Sequence, residues 1–92
     1  MPTDRKEKIS FDTHAGKKLR NKRIQLKLTQ TDVANSTNKT FQQVQKYEKG
    51  VNGMSAFVLG EVARYLKVPV SYFYEGYDYD TFTSQLTYKD NE

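Results

Sequence analysis

Gln42, Lys46 and Lys49 recur at i, i+4 and i+7, a spacing that gathers three long polar side chains on one face of an α-helix. A glutamine can present its amide to adenine N6 and N7, and a lysine can donate to guanine O6 and N7 or to a phosphate. A face of this kind suits the major groove of a DNA duplex. Phe41 lies at its edge, where an apolar side chain can meet a thymine methyl. Taken without context, the same stripe is also what an ordinary solvated helix face looks like. The opposite side of the wheel is different in kind: Val44 and Tyr47 are apolar, and Glu48 falls only about 40° from Val44. A carboxylate aimed at a core is costly unless it is paired. Arg23, at the border of an apolar stripe upstream, is its natural cation, in a pair read as structural and not catalytic.

Little else in the chain could do chemistry. There is no cysteine and one histidine, His14, which excludes disulfides, thiolate metal sites and a conventional zinc site. Asp32, Glu48 and Glu61 are dispersed over three predicted helices, and no nucleophile stands beside a base. No enzyme activity, metal or cofactor is expected.

The elements that must position the polar stripe follow from capping signals and apolar periodicity. Thr29 with Asp32, and Thr40 with Gln43, each resemble a capping box, so two helices begin eleven residues apart. Between them Asn35-Ser-Thr-Asn38 reads as a tight turn, with Asn38 suited to the left-handed region. Upstream, Ala15, Leu19 and Leu26 share one face and predict a first helix from Thr13 to about Lys27. Downstream, Val58, Leu59, Val62, Ala63 and Leu66 share a face that predicts a fourth helix after Ser55. Pro69 suits the first turn of a short fifth helix, and Gly76 its terminator. With no sustained strand-type alternation, the fold class is all-α.

At 92 residues the chain has room for one domain. The division expected is a basic N-terminal arm over 1–12, a helix-turn-helix domain over 13–76, and an acidic, aromatic C-terminal tail over 77–92. The formal charge of +4 is uneven: residues 1–29 carry +6, residues 30–74 carry +2, and residues 75–92 carry −4. A basic front half joined to an acidic tail suggests a polyanionic partner, and the alternative reading of the same charges is a solvated surface with a solubilising tail. MPTDRKEKIS lacks the apolar segment of a signal peptide, and no apolar run approaches the roughly 20 residues that span a bilayer. A cytoplasmic location away from membranes is expected.

Read together, KKLRNKRIQLKLTQTDVA, TFQQVQKYEKG and LGEVARYLKVPVSYFYEG resemble the phage Cro and cI repressor type, or Xre family, of helix-turn-helix regulators, over roughly Gly16 to Gly76. The resemblance implies a five-helix, lambda-repressor-like domain whose third helix, Thr40 to Lys49, enters the major groove of double-stranded DNA. It also implies a homodimer reading a palindromic operator in two half-sites about one helical turn apart. Carried over position by position, Phe41, Gln42, Gln43 and Lys46 are the base-contacting residues. Thr29, Gln30, Lys39, Thr40, Lys49 and Asn52 contact the DNA backbone, with Gln30 also bracing the reading helix. Arg23 and Glu48 match the family's buried ion pair, and Val70, Phe73 and Tyr74 its dimer interface.

Three departures stand out. Asn38 replaces a turn glycine, the loop Val51-Asn-Gly-Met-Ser55 has no Lys or Arg for phosphate contact, and Phe41 stands where some relatives carry an amide. At the ends, Arg5, Lys6 and Lys8 are read as a loose arm, and the tail with Tyr77, Tyr79, Phe82 and Leu86 as a loose segment. Within DNA binding, the sub-roles open to such a chain are a repressor, a restriction-modification controller or an antitoxin with a partner toxin. The reading from another class is a protein-interaction adaptor without specific DNA readout.

Overall fold

Hydroxyl caps divide the chain. In the computed structural model, which describes residues 5–77, α1 (Arg5–Gln25) is followed by α2 (Gln30–Ser36), α3 (Phe41–Lys49) and α4 (Ala56–Leu66), and then by one 3-10 segment (Val70–Tyr74). The side chains of Thr29, Thr40 and Ser55 accept from the amides of Asp32, Gln43 and Val58 and so open α2, α3 and α4. Each such cap typically contributes about 1 kcal/mol. At Thr29 the box is complete, because the Asp32 carboxylate accepts in return from the Thr29 amide at 2.8 Å. At Thr40 only half of the predicted box forms, since the Gln43 amide group donates to Asn52 Oδ1 instead, at 3.2 Å.

The turn between α2 and α3 is closed from inside. Thr37 is buried, and its hydroxyl donates to the Val33 carbonyl at 2.8 Å, so its polar atom is satisfied where water is excluded. Asn38 takes the left-handed conformation, φ 55°, as its residue type allows, and the Lys39 amide then reaches the Ala34 carbonyl at 2.9 Å. Leu19 of α1, Val33 and Ala34 of α2, Val44 and Tyr47 of α3, five residues of α4 and Phe73 of the 3-10 segment form one core. α3 lies against both α1 and α2, and the 3-10 segment against α1 and α4.

Five expectations are corrected. The first helix begins at Arg5, so residues 5–12 of the segment read as an arm are helical. It is held there by packing: Phe11 lies 5.1 Å from the Tyr74 ring and 5.2 Å from that of Tyr77, and the Tyr77 hydroxyl donates to the Glu7 carbonyl at 3.3 Å. Tyr77, assigned to a loose tail, thus packs on α1, while Tyr79, Phe82 and Leu86 lie outside the described residues. Leu26 keeps the helical bond to the Lys22 carbonyl but is 45% exposed, because among the described residues no element covers it. The predicted fifth helix is a single 3-10 segment of five residues, entered from an extended Pro69, too short to repay α-helical nucleation. Finally Phe73, assigned to a dimer surface, is fully buried in the core of its own chain.

Gly16 makes the crossing of α1 over α3 possible. A Cβ there would collide with the Tyr47 carbonyl oxygen and stand 2.7 Å from that of Glu48, both main-chain atoms unable to swing aside. Gly60 in α4, by contrast, has nothing within 4 Å of its Cβ position. Gly16→Ala should therefore destabilise the domain by about 1–3 kcal/mol, as overpacking does, despite the better helix propensity of alanine. Gly60→Ala should stabilise it by up to about 1 kcal/mol. Urea unfolding of the two variants checks this, and equal effects would contradict the proposed close approach.

Candidate nucleic-acid interface

The inner face of α3 is fixed by one carboxylate. Glu48, predicted to point inward, has a side chain only 3% exposed and accepts three hydrogen bonds. Arg23 of α1 donates to it twice in a fork, Nε to Oε2 at 2.6 Å and Nη2 to Oε1 at 3.0 Å. Gln30 of α2 supplies the third, Nε2 to Oε1 at 2.9 Å. Arg23 spends a further N–H on the Leu28 carbonyl at 3.0 Å, which fixes the chain between α1 and α2. The guanidinium is held still further into its charged form by the Glu48 hydrogen bond, against burial, which acts the other way. One buried pair thus joins three helices. The pair was expected; the third donor, Gln30, was expected to brace the reading helix, and this bond is how it does so.

The outer face of α3 is free to meet a partner. Phe41, Gln42, Lys46 and Lys49 are all exposed, Phe41 by 42%. Because Glu48 is turned inward and neutralised by Arg23, the charge that α3 shows to solvent comes from Lys46 and Lys49 alone and is wholly positive. Gln43 is half-buried and already engaged with Asn52, while burial pushes the pKa of the Tyr47 hydroxyl up against the opposing effect of the Gln43 side chain. Asn52 stays exposed, with the loop beginning at Gly50, φ 75°, folded back so that the Val51 amide reaches the Lys46 carbonyl at 3.0 Å. The Gln43–Asn52 bond has no local signature in sequence, since it joins a helix to a loop nine residues on.

The backbone-contact positions divide as well. Thr40 and Lys39 stand at the amino end of α3, beside the stripe, and Lys49 at its carboxyl end. At the start of α2 the Thr29 hydroxyl accepts from the Asp32 main-chain amide and the Asp32 carboxylate from that of Thr29, so a negative group sits where an anion was expected, and the Gln30 side chain is committed to Glu48. Thr29 and Gln30 therefore have less to offer a phosphate than the sequence alone implied. Val70 and Tyr74 remain 45% and 41% exposed, leaving these two of the three dimer candidates on the surface. Among the described residues no acidic, histidine or cysteine cluster could hold a metal ion, and no helix is long and apolar enough to cross a membrane.

Two short helices joined by a buried threonine turn, the second carrying a polar outer stripe and braced from behind, define a helix-turn-helix unit. A family model described as helix-turn-helix matches residues 19–73, and the chain belongs to this family, of the Cro and cI type. It is 40% identical over 75 residues to an uncharacterised HTH-type transcriptional regulator of Sinorhizobium medicae, covering 82% of this chain and 54% of that protein. A regulator of the same description from Sinorhizobium fredii is 42% identical over 71 residues, covering 77% and 50%. An uncharacterised transcriptional regulator in the ATPase CF(0) region of Rhodospirillum rubrum is 43% identical over 63 residues, covering 68% and 58%. The chain thus spans about half the length of the curated relatives it matches.

Removing one side of the buried pair leaves the other charge unpaired in the core. Arg23→Ala should lower unfolding free energy by about 3–5 kcal/mol. Gln30→Ala, which removes one neutral donor from an ionised acceptor, should cost about 1.5–3 kcal/mol. Chemical denaturation measures both, and a wild-type midpoint for Arg23→Ala would refute the bracing of α3 by Glu48.

Proposed function

We propose that this chain binds double-stranded DNA sequence-specifically and regulates transcription as a repressor-like homodimer on a palindromic operator, with α3 lying in the major groove. The observation that carries this reading is the two-sidedness of α3: one face is locked to α1 and α2 through Glu48, and the other exposes Phe41, Gln42 and Lys46 with only positive charge. Long donors on a rigid helix are what base-edge readout requires, because a mobile helix would lose the discrimination in entropy. Gln42 is assigned an adenine, Lys46 a guanine, and Phe41 a thymine methyl. Gln43, tied to Asn52, is assigned a supporting part beside them.

Backbone contact falls to Lys39, Thr40 and Lys49 around α3 and to Asn52, which the Gln43 bond holds near the same face. At the start of α2 Gln30 contributes its main-chain amide, its side chain being engaged, while the Thr29 amide is held by Asp32 and only the Thr29 hydroxyl proton is left for a phosphate. With no cation between Val51 and Ser55, the phosphate contribution rests on few charges, so affinity depends more on base contacts than in a strongly basic binder. Exposed Val70 and Tyr74 supply the apolar surface by which two copies associate. The names of the matched relatives, transcriptional regulators, agree with this role.

Titration against a preferred and a random duplex at several salt concentrations tests the proposal. Specific function requires a margin of at least about a thousandfold between the two. Gln42→Ala and Lys46→Ala should each cost about 1–3 kcal/mol at the preferred site while leaving thermal unfolding unchanged. Lys49→Ala should weaken both duplexes alike and reduce the salt slope by about one. Wild-type binding by the Gln42→Ala, Lys46→Ala double variant would overturn the assignment. Equal affinity for all duplexes would leave the adaptor reading in its place.

A further inference from the structure

At the end of the bundle where Leu26 is uncovered, α1 and α4 finish side by side around a half-open cleft of about 580 Å³. Both helices stop in the same way. Lys27 and Lys67 take the left-handed conformation, φ 61° and 60°, and the next residues close the caps, Leu28 N–H to the Arg23 carbonyl at 2.9 Å and Val68 N–H to the Ala63 carbonyl at 3.0 Å. These matching caps turn Leu26, Leu28, Tyr65 and Val68 into an apolar floor. Lys22, Arg64 and Lys67 stand around it. No acidic residue lines the cleft, and among the described residues none of these three cations has an ion-pair partner. Lys22 does lie 5.3 Å from the centre of the Tyr72 ring, which leaves its charge uncompensated.

We infer that this cleft is a binding site for a small amphipathic carboxylate, with its apolar body on Leu26 and Val68 and its carboxylate held by Arg64 and Lys67. The charge balance decides the sign of the ligand. Two helix carboxyl termini contribute about −0.5 each, a total near −1, against three positive side chains, so the cleft remains cationic. The floor decides the rest: it is apolar, and covering exposed leucine and valine favours a ligand with a hydrocarbon body over a bare phosphate or a nucleic acid backbone. The cleft also adjoins the buried pair of α3, because the carbonyl of Leu28, one of its floor residues, accepts from Arg23. It is separate from the outer face of α3 and does not depend on the proposed DNA reading.

The test is a residue-resolved NMR titration of the whole chain with decanoate, kept below its micellar range, beside decyltrimethylammonium at equal concentration. Decanoate should give saturable shifts centred on Leu26, Leu28, Tyr65 and Val68, and the cation none there. The Arg64→Glu, Lys67→Glu double variant should weaken decanoate binding by roughly tenfold or more, since two ion contacts are lost and repulsion is added. Leu26→Asp, at an exposed position and so without cost to the core, should weaken it too. Equal shifts from both amphiphiles, unsaturable shifts, or shifts at these residues that follow protein concentration alone would overturn the inference, the last by making the cleft a contact between copies.

Discussion

The Glu48 carboxylate is the group on which the arrangement of this domain depends. It sits where water is excluded, and it is tolerable there only because Arg23 and Gln30 between them donate three hydrogen bonds. Those donors come from α1 and α2, so the same interaction that makes the burial affordable fixes α3 against both neighbours. An apolar residue at this position could pack, but it could not select one rotation of α3 about its axis. The forked geometry does, and with the inner face fixed the outer face follows at once. Gly16 adds the steric half of the constraint by letting the α1 backbone approach the carbonyls of Tyr47 and Glu48.

Much of this was legible in the sequence where the signals are local. Thr29 and Thr40 announce helices because a hydroxyl at a helix start acts within three residues, and the apolar face after Ser55 announces the fourth. Asn38 announces the turn because few other residue types accept its backbone conformation. The inward Glu48 was legible from the wheel, and its partner from the need for a cation. What escaped depends on contacts between distant residues. The helical state of residues 5–12 rests on Phe11 meeting Tyr74 and Tyr77, more than sixty positions away. Leu26 fits the apolar period of α1, yet periodicity cannot tell whether an element covers that end of the helix. Phe73 and Val70 differ between core and surface although they stand three residues apart in one short segment, and nothing in their local spacing marks the difference.

The departures from the family pattern have a common physical consequence. A loop without cations lowers the share of binding that phosphates can supply, and a phenylalanine in place of an amide at the edge of the reading face turns that contact from polar to apolar. In the proposed complex, discrimination then rests on the few side chains of α3 that reach outward, held by an interior that leaves them little freedom. The membership in the helix-turn-helix family fits this division between a braced inner face and an exposed polar outer one.

Selection of bound duplexes from a random pool, carried out in parallel with the wild-type chain and with Gln42→Ala, tests the central proposal most directly. The wild type should enrich two inverted half-sites with centres about 10 base pairs apart, and the variant should lose preference at one base pair in each half-site while keeping the spacing. Failure to enrich any motif, or recovery of an identical motif by the variant, would contradict the assignment of α3 as the helix that reads DNA.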